Sequence, residues 1–302
     1  VTDLALFREM SELFPGLVRS KEPLQLHTSW RIGGPADFLV EPGSLQELQR
    51  VVSYARGKGL PLTVIGAGSN VLVSDRGIRG IVIKIGSGLA RVTAQGRIIE
   101  AEAGARLSMV AAVARDNGLG GLEFTAGIPG TVGGAIVMNA GANGLAIGEL
   151  VTRVTVMGPG GELLEKTREE LQFGYRSSSL QQDPAIVAAA SFCCYPRDVD
   201  LIRRDMENCL ALRRNHQPLA EASAGSVFKN PAGKSAGWLI DNAGGKGLRV
   251  GNARVSDQHA NFIINLGSAT AQDVLMLIEK VRALVLQRFG VKLELEVRLL
   301  GD

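Results

Sequence analysis

Gly118-Leu119-Gly120-Gly121-Leu122-Glu123-Phe124-Thr125-Ala126-Gly127-Ile128-Pro129-Gly130-Thr131-Val132-Gly133-Gly134-Ala135-Ile136-Val137-Met138-Asn139-Ala140-Gly141-Ala142-Asn143-Gly144 is a run of small residues with few large side chains. A stretch of this composition cannot build a core of its own. Main chain without a Cβ can lie close against a bound molecule, so the run reads as backbone wrapped around a large ligand. A shorter glycine run, Gly66-Ala67-Gly68-Ser69-Asn70, follows the apolar stretch Pro61–Ile65 and precedes Val71-Leu72-Val73. Read alone it is either a tight turn or a loop whose amides meet a phosphate, with Ser69 and Asn70 adding donors. It is not the dinucleotide fingerprint, which needs Gly-x-Gly-x-x-Gly opening a helix, whereas Val71–Val73 continues as a strand. Two such loops in one unit suit a cofactor carrying a pyrophosphate and a bulky flat ring.

Around these loops the chain alternates short strands and helices. Ser44-Leu45-Gln46-Glu47 is a capping box, with Leu45, Leu48, Val51, Val52 and Ala55 at helical spacing and Gly57 and Gly59 at the end. Strands are expected at Ala36–Val40, Pro61–Ile65, Val71–Val73, Ile81–Ile85, Val151–Met157 and Ile186–Phe192, and a helix at Leu107–Asn117. A first amphipathic helix runs from Leu4 to about Leu17. In the last third, Asp200–Arg214 is helical, and Thr270-Ala271-Gln272-Asp273 caps a helix that Gly290 stops. The end alternates, with Val291, Leu293, Leu295, Val297 and Leu299 on one face and Lys292, Glu294, Glu296 and Arg298 on the other. Pro196-Arg197-Asp198 reads as a boundary. The expected division is an N-terminal helical segment (1–23), a cofactor domain (24–196, with subdomains 24–86 and 87–196) and a further domain (197–302).

Composition narrows the function. Hydrophobic residues make up 45% and charged residues 21% of 302 residues, which excludes disorder and collagen-like repeats. The 38 glycines exceed the roughly 7% average, while aromatics are only 5%. The formal charge of +3 is too small for a nucleic-acid partner, and all of it lies in residues 197–302, which hold 15 basic and 12 acidic side chains. That mild excess fits a small anionic ligand. Ala185–Tyr195 is too short to span a membrane, and no basic start followed by an apolar run marks a signal peptide. Cys193, Cys194 and Cys209 are an odd set with two adjacent, which favours a reducing cytoplasm over a disulfide framework. No histidine spacing resembles a metal-ligand pair.

Three polar blocks stand out. Phe173-Gly174-Tyr175-Arg176-Ser177 places an arginine after a glycine turn, and Ala224-Gly225-Ser226-Val227-Phe228-Lys229-Asn230-Pro231 places a serine in a glycine-bounded turn. Alone, Arg176 is a surface arginine or a site residue, and Glu296 a solvated carboxylate or a site residue. No Gly-x-Ser-x-Gly elbow is present, which speaks against a hydrolase nucleophile.

Taken in order along the chain, the blocks resemble the UDP-N-acetylenolpyruvoylglucosamine reductase (UDP-N-acetylmuramate dehydrogenase) family. The matching stretches are Thr28–Ala36, Gly66–Val73, Gly127–Gly144, Gly174–Ser177, Gly225–Pro231, Gly237–Asp241, His259–Phe262 and Glu296 with Gly301 five positions on. The resemblance implies an α+β protein: an FAD-binding domain of vanillyl-alcohol oxidase type, made of two α/β subdomains, followed by an α+β substrate-binding domain. It implies FAD held by Gly66, Ala67, Gly68, Ser69, Asn70, Gly127, Ile128, Pro129, Gly130, Gly133, Gly134, Asn139 and Gly141, with NADPH as reductant. No histidine lies in the glycine-rich loops to attach a flavin, so the FAD is expected to be non-covalent. The small-molecule substrate would be a UDP-sugar enolpyruvyl ether, touched by Tyr175, Lys229, Asn230 and His259. Arg176 and Glu296 would stabilise an enolate and Ser226 would supply a proton.

The interval from Arg176 to Ser226 is too short for the tyrosine loop of one branch of the family, so the chain is placed in the branch lacking it. His216 stands where relatives often carry lysine before Gln-Pro, and Arg213 or Arg214 is the candidate to replace that lysine at a diphosphate. Two competing readings are another FAD-linked oxidase of the same fold and a non-catalytic nucleotide-sugar-binding protein. The first fails on the C-terminal blocks, and the second should have lost Arg176, Ser226 or Glu296. The expected setting is cytoplasmic, with no membrane, nucleic acid or obligatory protein partner.

Overall fold

The computed structural model describes residues 3–301. They form two compact units between which the chain passes repeatedly. One takes the chain through Ser20, then Phe38–Ala67 and Gly80–Arg213; the other takes Lys21–Asp37, Gly68–Arg79 and the chain from Arg214 onward. Each has a hydrophobic core of its own. The division expected from composition is linear, whereas the units interleave. Chain breaks are visible to composition, and pairings across two hundred residues are not.

The first unit opens with α1 (Asp3–Leu13), which ends short of the expected Leu17 because Pro15 disfavours helix at Phe14. A four-stranded sheet runs in the order Val18–Pro23, Pro35–Val40, Ile78–Lys84, Leu62–Ile65, with the last two parallel. The ends Lys21–Pro23, Pro35–Asp37 and Ile78–Arg79 of its strands are counted with the second unit. α2 (Leu45–Lys58) buries Leu48, Val51, Val52 and Ala55. Ser44 Oγ accepts from the Glu47 amide and Gly59 takes the left-handed C-cap at φ 64°, as expected. The expected capping box is half made, because the Glu47 carboxylate accepts from the Gly43 amide at 2.7 Å instead of from Ser44. A five-stranded antiparallel sheet runs Leu163–Thr167, Val151–Met157, Ile186–Cys193, Ile98–Glu102, Val92–Gln95. α3 (Leu107–Asp116) and α4 (Val132–Met138) pack on it.

α4 lies inside the glycine-rich run, which therefore borrows a core instead of lacking one. Leu119, Leu122, Phe124, Val132, Ala135 and Ile136 are all buried in the first unit's cluster. α5 (Val199–His216) follows. Arg197 joins it to that run, with Nη1 2.6 Å from the buried Glu123 carboxylate and Nη2 2.5 Å from Asp205. The chain thus stays in the first unit past Pro196, and α5 packs Ile202 and Met206 against Ala111 and Ala126.

In the second unit, Arg249–Val250, Ala253–Val255 and Ile263–Asn265 form an antiparallel sheet; α6 (Ala236–Asn242) packs on α7 (Ala271–Phe289), which packs on the first two strands. Two N-terminal segments complete it. Trp30 is fully buried and donates its indole N–H to the Ile263 carbonyl at 2.8 Å. Val71–Val73 pairs in parallel with Arg298–Leu300. Asp75 accepts the first amides of α7, from Ala271 at 2.8 Å and Gln272 at 3.0 Å, where the helix dipole favours a negative charge.

The C-terminal alternation holds only in part. Leu293 and Val297 are buried, but Leu299 is 49% exposed. The amides of Glu296 and Val297 both donate to the Val227 carbonyl, at 2.8 and 3.4 Å. Two residues opposing one is the signature of a bulge, which breaks the period-two pattern beyond it.

Candidate active site

Within the first unit, Arg176 stands in a four-residue turn closed by reciprocal backbone bonds between Gly174 and Ser177, 3.0 and 3.2 Å. Its φ is 52°, a left-handed conformation uncommon for a residue with a Cβ. The guanidinium lies over the Tyr175 ring, 5.4 Å from its centroid, and Nη2 donates to the Gly141 carbonyl at 2.8 Å. The Arg176 turn is therefore joined to the end of the glycine-rich run. Asn139, expected among the cofactor contacts, spends its side chain on this joint. Its Nδ2 donates to the Gly174 carbonyl at 2.8 Å, and its Oδ1 accepts from the Gly148 amide at 2.9 Å. Asn139 is buried and caps α4 at φ 43°, a position that asparagine tolerates better than most residues.

Within the second unit, Ser226 and Glu296 come together through a ladder. The Val227 amide donates to the Asn261 carbonyl, the Glu296 amide to the Val227 carbonyl at 2.8 Å, and the Lys229 amide to the Glu294 carbonyl at 2.9 Å. Ser226 and Glu296 thus flank one pair of rungs, both half-buried. Asn70 extends the ladder: its Nδ2 donates to the Glu296 carbonyl at 3.1 Å, and its carbonyl accepts from the Arg298 amide at 3.0 Å. The residue expected to offer a donor to a phosphate is also a brace for Glu296. Asn230 Oδ1 accepts from the Ala236 amide at the start of α6. His259 Nδ1 accepts from the Asn261 amide at 3.2 Å, which places the ring proton of the neutral form on Nε2. Burial pushes the His259 pKa below the usual imidazole value, helped by the Lys246 and His216 charges.

The glycines test whether the loops fit FAD. Several are explained by protein alone. A Cβ at Gly68 (φ 64°) would overlap the His27 carbonyl, and one at Gly66 would overlap Thr131 Oγ1. At Gly133 a Cβ would stand 3.1 Å from the Ala103 side chain, where α4 meets its sheet. The amides of Val132 and Gly133 donate to the Ala105 and Ala103 carbonyls, so the start of α4 is spent on the protein. Gly134 is different: a Cβ there would meet nothing within 4 Å. With exposed Pro129, and Gly130 at φ 136°, it marks the exposed part of the glycine-rich run, and Ala67 is exposed in the shorter loop. Backbone that stays bare without crowding from the protein fits a ligand taken by main chain, and the residues fit FAD on that ground.

Three contacts escaped the sequence reading. Thr131 fills the space beside Gly66, and Gln181 donates to the Arg176 carbonyl. Arg213 donates through Nη1 to the Gly127 carbonyl, and burial holds its pKa below the ordinary arginine value. Of the two arginines named for the missing lysine, Arg213 meets the glycine-rich run, while Arg214 is exposed and begins the second unit's last segment. Only side-chain length could have pointed to these, and length does not fix direction. Among the described residues, no group of three or more His, Cys, Asp or Glu could hold a metal ion.

A family model described as UDP-N-acetylenolpyruvoylglucosamine reductase, C-terminal domain, matches residues 217–300, and one described as FAD binding domain matches residues 36–167. A UDP-N-acetylenolpyruvoylglucosamine reductase of Desulforamulus reducens is 47% identical over 298 residues, covering 99% of this chain and 98% of its own length. One of Moorella thermoacetica is 48% identical over 294 residues, covering 96% and 97%. The solved structure of UDP-N-acetylenolpyruvylglucosamine reductase from Thermus caldophilus matches at TM-score 0.81 and 37% identity, covering 92% of this chain and 97% of that one. A 4-ethylphenol oxidase of Gulosibacter chungangensis matches at TM-score 0.51 and 18% identity, covering 97% of this chain and 65% of that one, and this likeness shows the fold alone. The fold is α+β, with an FAD-binding part of vanillyl-alcohol oxidase type.

Proposed function

The chain belongs to the UDP-N-acetylenolpyruvoylglucosamine reductase family, and from that premise we propose that Arg176, Ser226 and Glu296 are its catalytic set. The protein is an FAD-containing oxidoreductase that reduces UDP-N-acetylenolpyruvoylglucosamine to UDP-N-acetylmuramate with NADPH, a step of peptidoglycan precursor synthesis. When bound, FAD supplies the hydride chemistry, with NADPH as the source of electrons. It would be held non-covalently along the Gly66–Asn70 loop and by the main chain of Gly127, Ile128, Pro129, Gly130 and Gly134. Gly133, Asn139 and Gly141 shape that backbone from behind.

Reduction of the enolpyruvyl ether adds hydride at the terminal vinyl carbon, and the electron pair moves onto the adjacent carbon and its carboxylate. Arg176 meets that charge with a planar fork of N–H donors matched to two oxygens. Glu296 in its protonated form donates to the same enolate. Ser226 delivers the proton to carbon. A hydroxyl is a weak acid, and the step is feasible because the acceptor is carbanion-like. Lys229, three residues on and half-buried, stabilises the alkoxide or passes it a proton. Tyr175, Asn230 and His259 are assigned to the UDP-sugar. We place the reaction in the cytoplasm: all three cysteines are free thiols, and no described helix is long and apolar enough to cross a membrane.

The observation that carries the assignment is the ladder that sets Ser226 and Glu296 on adjoining rungs through Val227. The experiment separates the two half-reactions by stopped flow. Ser226→Ala and Arg176→Lys should each accept electrons from NADPH at near the parent rate. Flavin reoxidation by the enolpyruvyl substrate should slow by about 10²–10⁴-fold, the usual worth of a positioned acid. Parental reoxidation in Ser226→Ala would make it a turn residue only.

A further inference from the structure

Arg176 holds a left-handed backbone, φ 52°, that an arginine rarely takes unless its surroundings impose it. Gln181, at the end of the 3-10 turn Ser179–Gln181, reaches back to it. Gln181 Nε2 donates to the Arg176 carbonyl at 2.9 Å and to the Val137 carbonyl at 3.2 Å. A primary amide has two N–H groups, and the two carbonyl oxygens are their nearest acceptors, with Met138 Sδ a third at 3.5 Å. Val137 lies in the last turn of α4, where carbonyls lack partners within the helix. The Ser178 hydroxyl donates to the same Val137 carbonyl at 2.8 Å, and Asn139 holds Gly174. Ser178 and Asn139 thus tie the turn's flanks to α4, whereas Gln181 grips the main chain of Arg176 itself. One amide spans the helix that carries the open Gly134 face and the residue that carries the guanidinium.

We propose that Gln181 is the positioning residue for Arg176, fixing by its two N–H donors where the guanidinium stands relative to α4. The proposal rests on the reading of Arg176 as the enolate-stabilising cation. A residue of the same length without donors fills the space and loses the function. Glutamate keeps the shape but sets a carboxylate against two carbonyl oxygens. Protonation returns one donor toward these carbonyl oxygens, and a hydrogen bond made by the neutral form favours that form.

The test uses the FAD-loaded enzyme and two variants, Gln181→Met and Gln181→Glu. FAD affinity by fluorescence titration and NADPH-driven flavin reduction should stay within about twofold of the parent. Flavin reoxidation by substrate should slow by roughly 10–100-fold, the cost of a small misplacement of a reacting group. The Q181E rate should recover as pH falls and the Q181M rate should not. Adding Q181M to R176K should cost nothing further, because the group being positioned is already altered. Parental reoxidation rates in both variants would overturn the proposal, as would equal slowing of both half-reactions with loss of FAD. If Q181M does not fold, the Q181E profile decides, and one parallel to the parent's overturns the proposal. If R176K itself reoxidises at the parent rate, the reading of Arg176 fails first. If R176K is slow and Q181M is not, only the positioning role fails.

Discussion

Around Arg176 the partners come from nearby chain: Gly141 is 35 positions away and Gln181 five. Around Ser226 and Glu296 they come from far along it, as Asn70 bonds Glu296 across 226 positions and Trp30 bonds Ile263 across 233. The first unit sets Arg176 by backbone permissiveness: left-handed Asn139 and Arg176, and a bare Gly134. The second unit sets Ser226 and Glu296 by register, since the rung that joins their segments exists only if distant strands align. A site built on turns is sensitive to single φ values, whereas a site built on register is sensitive to closure of long loops, which is slower to form.

The sharpest contrast is between two glycines. Gly68 belongs to the second unit, has φ 64°, and a Cβ there would overlap the His27 carbonyl. Gly68→Val should destabilise the apoprotein by about 2–4 kcal/mol, from left-handed strain plus a backbone clash. Gly134 lies in α4, where a Cβ meets open space. Gly134→Ala should stabilise the apoprotein by up to about 1 kcal/mol through helix propensity, while weakening FAD because a methyl group intrudes on the open face. Urea melts of the apoproteins and FAD titrations read both effects. Parental FAD affinity in Gly134→Ala would break the assignment of that face to the cofactor.

A smaller effect probes the long-range side. Asp75 caps α7 across 196 positions through two amides. Asp75→Ala should cost about 1 kcal/mol, the usual worth of an N-cap carboxylate. The loss should appear in hydrogen exchange of α7 and leave α2 protected as before. Equal loss in both helices would mean that the two cores unfold as one.

Much of the local structure could be read directly. Ser44 and Gly59 mark α2, Thr270 and Gly290 mark α7, and Val151–Met157 is a strand over the expected range. The family was also legible, because short blocks in a fixed order carry it. The interleaving was not. Nothing near Trp30 says that its indole N–H belongs to Ile263. The bulge at Glu296 and Val297 was hidden as well, since it arises from the partner carbonyl of Val227 and leaves Leu299 exposed against its pattern. Composition likewise could not separate glycines that face protein, such as Gly133 against Ala103, from Gly134, which faces none.

The smallest effect concerns His259, which the ladder holds through Asn261. Its ring lies edge-on to Phe262, 4.7 Å between centroids, and burial lowers its pKa from 6.5, with Lys246 and His216 adding to the shift. Charging this imidazole is therefore easier in the unfolded chain than in the folded one. Its stabilising contribution is complete above about pH 6.5 and is lost as pH falls below that value, because the unfolded chain takes up the proton first. The urea midpoint of the parent should drop between about pH 7.5 and 5.5, and His259→Gln, which cannot take that proton, should show a smaller drop. The Asp183 carboxyl is held low by its hydrogen bond to the Lys166 ammonium and titrates below this window. If His259→Gln followed the parent curve across the window, the imidazole would be charging as freely in the fold as outside it.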